Sequence, residues 1–219
     1  MKYTLAYSLL MVAASALSVT AQDSSAARII ERFSAKMQES VAAEMHFTFS
    51  GADGRGVEIR PLEGVIYQQG ADYAMLTPQV EVYTGGETKW IYTVDNNEAI
   101  IMRNEPTSVD LVENPLALFS SRLTTEYAIS DKPHFFVEKG QEFAEITLTP
   151  MGKNVSYSSI LLRINSQTLS PHSVKYHAKD GSWFEAVINS YTPAKQPFSP
   201  ERFVFSAKER PGVFVTDLR

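Results

Sequence analysis

From Met45 to Phe205 the chain breaks into roughly eleven to thirteen short stretches in which every second residue is apolar, each closed by turn-forming residues. Met45, Phe47 and Phe49 set the pattern. It continues through Val65 and Tyr67; Tyr73 and Met75; Val80 and Val82; Trp90, Tyr92 and Val94; and Ala99 and Ile101. Strand-like runs resume over 125–129, 134–138, 142–149, 155–165, 172–178, 182–191 and 201–206. The separators Gly51-Ala52-Asp53-Gly54, Gly85-Gly86, Asp95-Asn96-Asn97 and Lys179-Asp180-Gly181 carry tight-turn chemistry, so successive strands return antiparallel. Helical patterns do not alternate with these strands, which disfavours a parallel doubly wound sheet. So many antiparallel strands in one domain must curl into a sandwich or barrel.

Two amphipathic helices interrupt the pattern. Ile29, Phe33, Met37 and Val41 recur every fourth residue behind the N-cap candidates Asp23, Ser24 and Ser25, which predicts a helix over 25–41. Asn114-Pro115 marks a second start, with Leu116, Phe119 and Leu123 on one face. Their apolar faces need a surface. That surface is either the hollow of a sheet that curls without closing or the outside of a solid-cored barrel, and periodicity does not choose between them. The class is mainly β (α+β).

Lys2 is the only charged residue before Asp23, and Leu5 to Val19 is an apolar run, as in a secretory signal peptide. Val19-Thr20-Ala21 predicts cleavage after Ala21, leaving residues 22–219 as one exported domain. The formal charge of −5 lacks the basic excess that phosphate-backbone binding requires, so nucleic acid is not an expected partner. With no cysteine, neither disulfides nor an N-terminal lipid anchor is available, and stability must come from packing.

Catalytic signals are sparse. His46, His134, His172 and His177 form no zinc-like pair, and the sequence has no nucleophile elbow, Ser-x-x-Lys or phosphate loop. Gly51 to Gly56 is glycine-rich but lacks the following Lys-Ser or Lys-Thr, which leaves a hairpin loop. Asp53, Glu58 and Glu63 could converge, though nothing in their spacing says that they do. Asn154-Val155-Ser156 is a formal glycosylation sequon. Neither an enzyme nor a cofactor is expected. Carboxylate dyads leave no linear motif, however, so an exported hydrolase stays open.

Several motifs in this order resemble the LolA family of periplasmic outer-membrane lipoprotein carriers, over essentially all of 22–219. They are Gly85-Gly86-Glu87-Thr88-Lys89-Trp90-Ile91-Tyr92, Asn114-Pro115-Leu116-Ala117-Leu118-Phe119, Ile146-Thr147-Leu148-Thr149-Pro150, the paired strands from Ile160 to Tyr191, Phe203-Val204-Phe205 and Pro211-Gly212-Val213-Phe214-Val215. The resemblance implies an unclosed antiparallel β-barrel of about eleven strands, with helices covering its concave side and an apolar cavity for acyl chains. It implies a monomer that takes acylated lipoproteins from an inner-membrane lipoprotein-releasing ABC transporter to an outer-membrane acceptor. The cavity walls are then expected at Phe47, Phe49, Tyr67, Met75, Trp90, Tyr92, Ile146 and Leu148. The lid is expected at Ile29, Phe33, Met37, Leu116, Leu118 and Phe119. One departure stands out. Gly70 occupies the turn where the family carries a lid-latching Arg. The same residues also admit a periplasmic lipid- or partner-sensing module, or scaffold, with the cavity collapsed.

Overall fold

A computed structural model describes residues 25–104, 126–152 and 155–219. The expected leader over 1–21, the helix beginning at Asn114-Pro115 and the sequon's Asn154 lie outside the described residues.

Among the described residues, thirteen strands form a single sheet. They are β1 (Ala42–Ala52), β2 (Glu58–Gln69), β3 (Asp72–Leu76), β4 (Val80–Gly85), β5 (Thr88–Thr93), β6 (Glu98–Arg103), β7 (Tyr127–Ile129), β8 (His134–Glu138), β9 (Gln141–Pro150), β10 (Tyr157–Asn165), β11 (Pro171–Ala178), β12 (Trp183–Ala194) and β13 (Phe214–Asp217). Their spatial order is β13-β6-β5-β4-β3-β2-β1-β12-β11-β10-β9-β7, with β8 also on β9, so the sheet does not close on itself. All pairings are antiparallel except that of β13 with β6. β1 to β6 form a meander, as the turn residues predict. Asn97, Lys139, Gly86, Gly140 and Gly181 hold the positive φ that its tight turns and those of the later hairpins need. β7 and β8 share one edge of β9. The first pairs around Leu148 and the second from Glu145 to Gln141, either side of the break at Ser130–Pro133.

The single α-helix among the described residues, α1 (Ala26–Gln38), starts where Ser25 accepts a bond from the Arg28 backbone N–H at 3.4 Å. It is shorter than the expected 25–41. The chain leaves the helix at Glu39, and Val41, placed on the helical stripe by its spacing, stands half exposed ahead of β1. Ala26, Ile29, Ile30 and Phe33 are buried against one face of the sheet, in the same apolar cluster as Val82 of β4 and Leu148 of β9. Those two strands are seven places apart, about 34 Å across a flat sheet, whereas a helix with its side chains is only about 10–12 Å wide. The apolar residues continuous with the helix thus extend well beyond its own width, and the face holding α1 is the inner one of this open, barrel-like sheet.

That core tolerates little change. Phe47 lies over Gly64 on β2, where an added Cβ would come within 2.5 Å of the ring and 2.9 Å of the Leu76 carbonyl oxygen. Gly64→Ala is expected to lower unfolding stability by about 1–3 kcal/mol, measured by urea denaturation. An unchanged midpoint would show that the Phe47 ring is free to move.

The expected strand at 201–206 is absent. Pro200–Phe203 instead forms a 3-10 turn, followed by extended but unladdered chain at Val204. The alternation there is real, since Phe203 and Phe205 are buried and Val204 is exposed. Its cause is a strap pressed on the outer face of the sheet, not a strand pairing at an edge. Phe205 stacks near Tyr92 and Tyr83 at ring distances of 5.2 and 6.1 Å, and Arg202 sits over Tyr67 at 4.2 Å. Arg210 grips Glu81 through two bonds of 3.0 and 2.9 Å. The chain then enters the sheet as β13.

Candidate functional site

Strand register decides which side chains face the helix. Met45, Phe47 and Phe49 of β1 stand beside Ile66, Gly64 and Leu62 of β2, and Ile66 continues to Met75 of β3 and Val82 of β4. On the other side Phe47 meets Ile188 of β12, and Phe49 meets Ala186. The row then runs through Val174 of β11 and Leu162 of β10 to Ile146 of β9. A bulge between His46 and Phe47 shifts the register of β1 against β12 by one residue. The outcome is one apolar lining spanning eight strands.

Ile29, Phe33 and Met37 of α1 pack into this lining together with Phe47, Phe49, Met75, Ile146 and Leu148. Tyr67, Trp90 and Tyr92 do not join them. They lie on the outer face: Tyr67 under Phe198 and Arg202, and Trp90 and Tyr92 in a second, smaller cluster with Phe205 and Val213. β5 is apolar on both sides, Ile91 inward and Trp90 and Tyr92 outward, so its alternation carries no sign of which face is which. Leu116, Leu118 and Phe119 lie outside the described residues. Ile30, Met45, Ile66, Ile160, Leu162 and Ile164 also line the inner face. The last three alternate plainly in the sequence. Ile66 is hidden between its apolar neighbours Val65 and Tyr67.

At one end of the inner face the polar groups are phenols. Tyr127 and Tyr157 hydroxyls are 2.8 Å apart, and burial pushes the Tyr127 and Tyr176 phenols well up, so both stay neutral at any physiological pH. At the opposite end, where α1 hands over to β1, a half-open cleft of about 450 Å³ lies between Met37, Val41, Met45 and Tyr191. Ion pairs sit elsewhere. Arg163 bridges Glu145 and Glu185 at 2.7 and 3.2 Å on the outer face. Desolvation, then the bond to Glu81, raises the Tyr83 phenol beneath the strap. Among the described residues no group of three or more His, Asp or Glu is placed to hold a metal ion, and no helix is long and apolar enough to cross a membrane. The inner face is suited to sequestering apolar matter, through burial and shape.

No family model matches the chain, and no curated protein matches it. Several solved structures do. An uncharacterized conserved protein from Thermus thermophilus is similar at a TM-score of 0.55 and 10% identity, over 87% of this chain and 98% of that one. This likeness is one of fold. A LolA superfamily protein from Nitrosomonas europaea is similar at a TM-score of 0.43 and 10% identity, over 83% and 98%. A putative outer membrane lipoprotein-sorting protein domain from Vibrio parahaemolyticus is similar at 0.46 and 8%, over 80% and 94%.

Proposed function

Given an amphipathic helix seated inside an unclosed apolar sheet, in a sequence that resembles the LolA family, we propose that this protein is a periplasmic carrier of acylated lipoproteins. The observation that carries this reading is the burial of Ile29, Ile30 and Phe33 of α1 in a lining that the strands supply on both sides. Acyl chains cannot cross an aqueous compartment exposed, because each buried methylene is worth about 0.8 kcal/mol. A carrier that bound them in a permanently empty hollow would not let them go. Here the protein's own helix takes the place of cargo when none is bound.

The balance can be put in numbers. Lifting Ile29, Ile30 and Phe33 from the lining costs about 5–9 kcal/mol, at about 1.5–3 kcal/mol for each large apolar side chain. Roughly 6–11 cargo methylenes offset that cost. A multiply acylated lipoprotein has more than enough, so it binds, but with its affinity lowered by the helix it displaces. That reduction is what makes onward delivery feasible. An inner-membrane lipoprotein-releasing ABC transporter would load the carrier, and an outer-membrane acceptor would unload it.

Purified protein added to spheroplasts that hold the export machinery is expected to bring acylated lipoprotein into the soluble fraction. If the lipoprotein stays membrane-bound while an authentic carrier releases it, the assignment is wrong.

A further inference from the structure

The cleft beside the end of α1 has a chemical character of its own. The residues lining it include the apolar Met37, Val41 and Met45 and the polar, uncharged Gln38, Ser40, Gln68 and Tyr191. Among the described residues, no Lys, Arg, Asp, Glu or His lines it. The nearest charges along the helix, Lys36 and Glu39, are exposed and paired with each other at 3.4 Å. At about 450 Å³ the cleft falls within the roughly 300–1,000 Å³ typical of small-molecule sites. Part of the opening is left by Gly70, whose φ of +59° suits glycine and whose missing side chain would meet nothing within 4 Å.

We propose that this cleft is a selectivity site that admits alkyl chains joined to an uncharged amide, ester or hydroxyl group and rejects those carrying a phosphate or carboxylate. The proposal rests on the carrier reading and deepens it, since the cleft opens beside Met37 and Met45, which belong to the helix and lining that the cargo would part. An anion drawn into the cleft gives up water and finds no cation among the described residues that line it. A neutral polar group finds partners. The Ser40 and Tyr191 oxygens are 3.5 Å apart, longer than the roughly 2.5–3.0 Å of a well-made O–H···O bond, so both keep capacity for a ligand. The Gln68 amide adds a donor and an acceptor. The acylated amine and diacylglyceryl end of a lipoprotein carries such groups close to its chains, whereas a phospholipid carries a phosphate there.

The test is isothermal titration of the purified protein with three monomeric amphiphiles of equal chain length: a dodecanoyl glucamide, dodecyl phosphate and dodecanoate. The neutral amide is expected to bind at least about tenfold tighter than either anion. Val41→Lys places a cation at the cleft from a half-exposed position, and is expected to shrink or reverse that preference. Gln68→Trp fills the cleft and should weaken the amide. Equal binding of amide and anions overturns the proposal, and so does a preference that both variants leave intact. Lipoprotein release from spheroplasts is measured on the same preparations. Release without amphiphile preference sinks the selectivity site and leaves the carrier reading standing. Absence of release sinks the carrier reading itself.

Discussion

Phe33→Ala is expected to make the protein less stable and its cargo harder to remove. The ring is fully buried at the centre of α1, so its truncation should cost about 3–5 kcal/mol of unfolding free energy, read from urea denaturation. In an ordinary core the effect would stop there. If cargo and helix compete for one hollow, a helix that holds the lining less tightly is easier for cargo to displace. When at least about 1.4 kcal/mol of the loss is transmitted, retention tightens about tenfold, visible as slower transfer of bound lipoprotein to acceptor vesicles. Lower stability with unchanged or faster transfer would mean that Phe33 is core and that α1 does not compete with cargo.

Phe205→Ala gives the matching control from the other side of the sheet. Phe205 is also buried, and it packs on Tyr92 and Tyr83 beneath the strap. Removing its ring is expected to destabilise by about 3–5 kcal/mol, with the loss centred on the β4–β6 half of the sheet. Transfer of cargo should stay at the wild-type rate, because the residue lies on the face away from α1. A change in transfer as large as that from Phe33→Ala would show that stability alone governs retention, which contradicts a competing helix.

Much of the site is legible in the sequence. Ile29 and Phe33 recur at helical spacing after an N-cap, and Phe47, Phe49, Ile146 and Leu148 alternate beside well-marked turns, so local rules already assign their elements. What local rules miss is the choice of face. Tyr67, Trp90 and Tyr92 look like wall residues because they are large and aromatic. They point outward because the 198–213 strap covers the outer surface of β2–β6 and makes that surface apolar as well. An alternation with both phases apolar has no readable inside. Phe203 and Phe205 mislead for the same reason. An extended strap pressed on a sheet repeats every second residue just as a strand does, and only the missing hydrogen-bond partners tell them apart.

The amino-acid order alone determined the local chemistry: many strands, the turns between them, an amphipathic helix near the start, and the absence of thiols and of metal-ligand spacings. These depend on neighbours within a few residues, where propensity and periodicity act. The tertiary structure decided where the helix went and which side of each strand it met. It also decided that Gly70, Gln68, Tyr191 and the end of α1 surround an uncharged cleft. Those outcomes join residues more than a hundred positions apart, as when Met45 meets Tyr191 across the β1–β12 ladder. Pairing and wrapping on that scale are set by the whole sheet, and no short window of sequence contains them.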